Sequence, residues 1–182
     1  MNIFFPMKNL TRAINDHLSS EFQASHACLA ISIWLRENDL INFSSYLSNK
    51  SNEERAHAYR MIAYLVDRDQ QVELPTVDAP ERQWPSVKEL FDIVAQMEKK
   101  VTASIDHLYT LAEQLNDRSA TAMLDWFVEE QVQEEAEARF VCKRLRLAGD
   151  NSAALLLLDQ QFLDGTALAS VKDGSGFAVA VN

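Results

Sequence analysis

Apolar residues recur at alternating steps of three and four along most of this chain, the spacing that lines them up on one face of an α-helix. From about residue 8 to 37 the stripe reads Ile14, Leu18, Glu21, Ser25, Cys28, Ser32 and Leu35. A second helix, roughly 39 to 68, carries Leu47, Glu54, Met61 and Leu65 on one face. The period then lapses. Between Val72 and Pro85 stand Pro75, Pro80 and Pro85 with no regular spacing of apolar residues, which predicts a long crossover rather than a tight turn. Pro85 and Ser86 open a third helix to about 115, striped by Val94, Glu98, Val101, Ile105 and Leu108. Asn116 and Asp117 break it. A fourth helix runs to about 147 through Leu124, Phe127, Gln131, Glu134, Ala138, Val141 and Leu145, and Gly149 stops it. A short apolar helix follows at about 152–164, then a tail from about 166 to 182 rich in Gly, Ala, Ser and Val, for which poor order is expected. The run Leu155–Leu158 is apolar all round and calls for burial in its own subunit or against another. Two hairpins of long helices joined by a long crossover describe an all-α four-helix bundle of up-down-down-up connectivity. It forms a single domain over 1–182, with the bundle at about 8–148.

Four positions break the apolar stripes in the same way. Glu21, Glu54, Glu98 and Glu134 each sit near the middle of a different helix, so all four can meet in one layer. One glutamate on a helix is ordinarily solvated, but an acid on every stripe is a repeated coincidence. Buried carboxylates are rare unless paired or bound to a metal, so a bundle that points four of them at its axis needs cations there. His57 follows Glu54 at a spacing of three and shares its face, while Gln131 precedes Glu134 at the same spacing. Oxygen-rich ligation with one nitrogen and no thiolate suits iron, manganese or zinc.

Composition narrows the reading. The chain of 182 residues is 47% hydrophobic with only 4 Gly and 4 Pro, which favours long helices over a turn-rich β fold. A formal charge of −10 argues against nucleic acid as partner and is compatible with cation binding. Cys28 and Cys142 form no metal or redox spacing, no apolar run reaches membrane-spanning length, and the N-terminus lacks a signal-peptide pattern. A cytoplasmic protein is expected.

Taken together, Ser20-Glu21-Phe22, Glu53-Glu54-Arg55-Ala56-His57, Gln96-Met97-Glu98 and the segment from Trp126 to Glu135 resemble bacterial non-haem ferritins, in register over roughly 8 to 164. The resemblance implies a ferritin-like bundle with a short fifth helix, assembled into a hollow homo-oligomeric shell of 24 subunits. It implies a ferroxidase that oxidises Fe(II) with oxygen or peroxide and stores ferric mineral. Glu21, Glu54 and His57 would hold one iron. Glu54 as a bridge, Glu98 and Glu134 would hold the second, with Gln131 near oxidant or water. Glu53, Glu130 and Glu134 match a third, inner-surface iron site, where Gln133 replaces a frequent further acid. Glu129, Glu135 and Glu137 are expected to be solvated or to line the shell.

Several residues depart from the family pattern or stand outside it. Ferritins usually carry tyrosine where this chain has Cys28, which reads first as a small core residue and second as a source of altered oxidation chemistry. Trp126, Tyr109 and Tyr46 are alternative electron donors, although core packing accounts for each. His17 is expected at the surface rather than at the metal, His26 points off the face of Glu21, and His107 has no acidic partner. Bacterioferritins carry Glu-x-x-His on two helices and a haem-ligating Met beside the second-helix acid. Here the fourth helix offers Gln131-x-x-Glu134 and Arg55 follows Glu54, so haem is not expected. Two other readings stand beside storage: a di-iron oxidase or peroxidase that keeps its metal and makes no mineral, and a helical interaction subunit with a vestigial centre. Mini-ferritins, which lack the fifth helix, fit less well.

Overall fold

The computed structural model describes residues 4–162, and these form five α-helices with no strand. They are α1 (Phe4–Glu37), α2 (Ile41–Asp67), α3 (Val87–Gln114), α4 (Arg118–Ala148) and α5 (Ser152–Gln161). Helix α1 begins a turn earlier than its stripe predicts. The expected last turn of the fifth helix, at 163–164, and the tail at 166–182 lie outside the described residues.

Three helices end without glycine. Asp39, Asp69 and Asn116 take φ of 60°, 54° and 53°, the left-handed conformation that short Asx side chains tolerate. In each case the next residue's N–H reaches back five residues: Leu40 to Leu35 O (3.0 Å), Gln70 to Leu65 O (2.9 Å) and Asp117 to Ala112 O (3.0 Å). These paired bonds satisfy the terminal carbonyls, so helices reverse sharply in a chain almost free of glycine. Helix starts are capped as the sequence suggests for α3, where Ser86 Oγ accepts from the Glu89 N–H at 3.1 Å. Asp117 does the same for α4 from Ser119 and Ala120, and Asn151 for α5 from Ala153 and Ala154.

The contacts fix the directions. His17 on α1 meets Ser104 on α3 while Trp34 meets Trp84 just before α3, so α1 and α3 run antiparallel. Lys50, His57 and Arg68 on α2 meet Glu134, Trp126 and Asp117 on α4, which makes that pair antiparallel as well. This is the expected up-down-down-up order. The crossover starts beside Asn15, whose side chain binds Gln71 O and the Glu73 N–H at 2.9 and 2.7 Å, and ends with Trp84 on Trp34. It therefore travels the length of the bundle.

The core comes in two apolar halves. One gathers Cys28, Ile31, Leu35, Phe43, Leu47, Phe91 and Val141; the other gathers Ile14, Leu18, Met61, Leu65, Ile105, Leu124 and Phe127. Between them lies a buried polar layer of Glu21, Ser25, Lys50, Ser51, Glu54, His57, Glu98, Gln131, Glu134 and Glu137. The acids do meet mid-bundle.

Candidate metal centre

Glu21 on α1 and Glu54 with His57 on α2 present donor atoms that all lie within 4.8 Å of one another, and all three residues are buried. His57 Nδ1 stands 3.4 Å from Glu54 Oε2 and 3.7 Å from Glu21 Oε2. The two oxygens of Glu21 have different surroundings. Oε1 is bound at 2.7 Å by His17 Nε2, whereas Oε2 is buried with no hydrogen-bond partner. A buried carboxylate oxygen without a donor carries a desolvation cost that a cation relieves, and one carboxylate, one bridging-capable carboxylate and one imidazole fit an iron-type ion.

The electrostatics describe a site held together by protons. Burial pushes the Glu21 carboxyl up, but the hydrogen bond from His17 and the attraction of nearby His57 outweigh it and hold its pKa down at about 2. Glu54 rises to about 7, first because it is buried and then because Glu21 is charged beside it, with His57 partly opposing. Burial disfavours charged His57, yet its attraction to the carboxylates of Glu21 and Glu54 raises it to about 10. Burial, and then the charges of Glu54 and Glu134, raise Glu98 to about 9. At neutral pH His57 is an imidazolium and Glu98 a neutral acid. Ionised Glu21 only accepts, so His17 donates to it from Nε2, while its Nδ1 is hydrogen-bonded to the Ser104 hydroxyl at 2.7 Å.

Glu98 and Glu134 share this layer but stand outside the Glu21–Glu54–His57 trio. Gln131 Nε2 donates to the Glu98 backbone oxygen and to Thr102 Oγ1, both at 3.2 Å, which fixes its amide across the α3–α4 seam. Glu134 is bound by the ammonium of Lys50, a buried residue that also reaches Glu53 at 3.0 Å and Glu137 at 3.5 Å. Of the residues expected at a third, inner-surface site, Glu53 and Glu134 thus share a cation from the chain itself. Glu130 is half-buried one turn before Glu134, and Gln133 is exposed.

Two expectations are corrected. Glu137 is not solvated: it is 1% exposed, faces Lys50 and accepts from the Tyr46 hydroxyl at 3.4 Å. His17 is not a surface residue: it is 1% exposed and supports Glu21. Glu129 is exposed, and Glu135 lies at the rim, accepting from Thr102 and Arg139. His26 and His107 are exposed. Cys28 is 2% exposed in the apolar half of the core. Burial, and then the charges of Glu54 and Glu98, keep its thiol protonated, as a small core residue would be. Trp126 and His57 meet edge to face with ring centres 5.4 Å apart, and the Arg60 guanidinium lies over the Trp126 ring, 4.2 Å from its centre. Tyr109 binds Asp125, and Tyr46 belongs to the Lys50 cluster.

Sequence reasoning passed over Lys50 and assigned His17 to the surface, although each carries the same signal as the acids. Leu47, Lys50 and Glu54 continue one stripe by steps of three and four, as do Ile14, His17 and Glu21.

The comparisons with known proteins agree with this geometry. The family model described as a ferritin-like domain matches residues 11–148. A bacterial non-heme ferritin of Staphylococcus aureus (strain MRSA252) is 32% identical over 154 residues, covering 85% of this chain and 93% of that one. One from Campylobacter jejuni is 32% identical over 165 residues, covering 91% and 98%. Among solved structures, the open-pore ferritin of the hyperthermophilic archaeon Archaeoglobus fulgidus superposes with a TM-score of 0.83 at 31% identity, covering 85% of this chain and 94% of that one. A match over most of the bundle, with the acids of all four long helices gathered in one layer, places this chain in the ferritin family.

Proposed function

We propose that this protein takes up Fe(II), oxidises it at a paired site inside each subunit, and stores the ferric product as mineral within a homo-oligomeric shell of 24 subunits. The observation that carries the reading is the Oε2 of Glu21, which accepts no hydrogen bond and is buried beside Glu54 and His57. Fe(II) is the substrate. In this reading Glu21, Glu54 and His57 hold the first ion, and Glu54 bridges to a second ion bound by Glu98. Gln131 orients oxidant or water from α4.

Each residue's contribution follows from its surroundings. His17 pins one oxygen of Glu21, leaving the other for metal, a supporting bond of the kind that orients metal ligands elsewhere. Charge neutralisation by two divalent ions replaces the protons on His57, Glu54 and Glu98. The centre supplies position and charge while the electrons come from iron. Two Fe(II) give up two electrons; oxygen takes them with two protons and leaves as hydrogen peroxide, or peroxide takes them with two protons and leaves as two waters. With no histidine at the fourth-helix position, the second ion is held by fewer donors than the first. Unequal affinity favours passage of iron to a store over retention as a permanent cofactor.

The test is to add two Fe(II) per subunit aerobically to metal-free protein and follow ferric absorbance and oxygen consumption, with Glu54→Ala alongside. Rapid oxidation that falls at least tenfold in the variant, followed by core growth on further iron, is the expected result. Turnover without core growth assigns the protein to non-storing oxidases, and oxidation no faster than in buffer defeats the ferroxidase reading.

A further inference from the structure

Lys50 is the one buried lysine among the described residues, and its ammonium lies in a nest of carboxylates on α2 and α4. Glu53 Oε2 is 3.0 Å away, Glu137 Oε2 is 3.5 Å away, and Glu134 Oε2 is bound directly. An ammonium has three N–H donors and no lone pair, so it meets three acids and ligates no metal. The Lys50, Glu134 and Glu137 side chains are 5%, 5% and 2% exposed, whereas Glu53 is 44% exposed, so the nest opens to the surface only past Glu53. A divalent ion among the same oxygens would stand within a few ångströms of the ammonium, where like charges in a poorly solvated site repel strongly.

We propose that the ammonium of Lys50 permanently fills the Glu53–Glu134–Glu137 nest, so that each subunit binds the iron pair but no third ion on its inner side. The inference rests on the iron-oxidising reading of the neighbouring pair, and adds that iron leaving the pair on this side meets a fixed positive charge. It also accounts for Glu137, a buried acid whose partner is a side chain rather than a metal.

The experiment counts Fe(II) bound anaerobically to the assembled protein by calorimetry, in wild type, Lys50→Gln, Lys50→Arg and Glu54→Ala. Lys50→Gln is expected to bind one more ion per subunit than wild type, while Lys50→Arg, which keeps the cation, binds the wild-type number. Equal counts for Lys50→Gln and wild type overturn the inference, as does a wild-type protein that already binds three ions per subunit. If three bare acids prevent Lys50→Gln from folding, the double variant Lys50→Gln/Glu137→Gln keeps the net charge and leaves Glu53 and Glu134 to bind the extra ion. The same gain is expected of it. Failure of the iron-pair reading shows separately, as a Glu54→Ala count equal to wild type. The difference between Lys50→Gln and wild type still reads the lysine in that case.

Discussion

At the scale of residues, the proposed centre is a proton store that bound metal would empty. His57, Glu98 and Glu54 have pKa values of about 10, 9 and 7, above their ordinary 6.5, 4.5 and 4.5, whereas Glu21 at about 2 is already ionised. At pH 7 the first two each carry a proton, so loading two Fe(II) per subunit should release protons, roughly two per subunit or more. The release is measured with a pH indicator during anaerobic titration; none at all would mean that the acids are not the ligands. Linkage gives a sign for the metal-free protein. Each of these groups is raised on folding, so its stabilisation is complete below the unfolded pKa and is lost as pH rises through about 7, 9 and 10. Alkaline conditions therefore weaken the empty protein while strengthening iron binding. The acids, Gln131 and His57 were legible in the sequence because each interrupts a stripe where an apolar residue is expected. Lys50 and His17 interrupt stripes too, but lysine and histidine are so often surface residues that the pattern alone did not mark them. What buries them is a partner on the same layer, Glu134 for one and Glu21 with Ser104 for the other, and those meetings depend on helix packing rather than on spacing.

At the scale of elements, helix ends divide into those the chain writes locally and those it completes from afar. Ser86, Asp117 and Asn151 cap the starts of α3, α4 and α5, and Asp39, Asp69 and Asn116 close the ends of α1, α2 and α3, which is why most boundaries could be read to within a turn. The start of α2 has no side-chain cap nearby. Its Phe43 and Asn42 N–H groups are bound at 2.8 and 3.3 Å by Asp159 of α5, more than a hundred residues on, which no local pattern announces. Asp117 joins two helices at once. It caps α4 and takes both terminal nitrogens of Arg68 from the end of α2 at 3.1 and 2.9 Å. Asp117→Ala should cost about 1–2 kcal/mol, most of it the lost cap and the rest a partly exposed ion pair. Asp117→Asn should recover most of that, because its amide oxygen still accepts from the helix. Burial raises the Asp117 pKa, but the bonds from Arg68 and α4 outweigh it and lower the value overall. Its contribution is thus present above the ordinary carboxylate range and fades as pH falls through the depressed value. Urea titration of the two variants at neutral pH decides the matter, and equal stability of Asp117→Ala and wild type would leave this junction without an energetic role.

At the scale of the whole molecule, α5 is the element whose position asks for a neighbour. It is moored to its own subunit on one side: Leu158 and Asp159 are buried, and Phe162 packs on Phe43 and Tyr46 with ring centres 4.7 and 5.4 Å apart. On the other side Leu156 and Leu157 remain 52% and 58% exposed, so only part of the apolar run finds cover within the chain. Leu29 and Ile33 on α1, at 45% and 53%, add to an apolar exterior that a lone subunit would leave in water. Covering two half-exposed leucines is worth about 2 kcal/mol per subunit, a term that repeats at every copy of the contact in a closed shell. If α5 joins subunits, Leu156→Asp/Leu157→Asp should break the shell into smaller species. The helix should stay docked, since Asp159, Leu158 and Phe162 are untouched. Sedimentation velocity reads the assembly and circular dichroism the fold. Intact shells would assign α5 to the single subunit alone. Smaller species of unchanged helicity would place it at a subunit contact, and under the proposed function such species should still oxidise two Fe(II) per subunit while failing to retain a mineral core, because that reading puts the paired site within one chain and the store between chains.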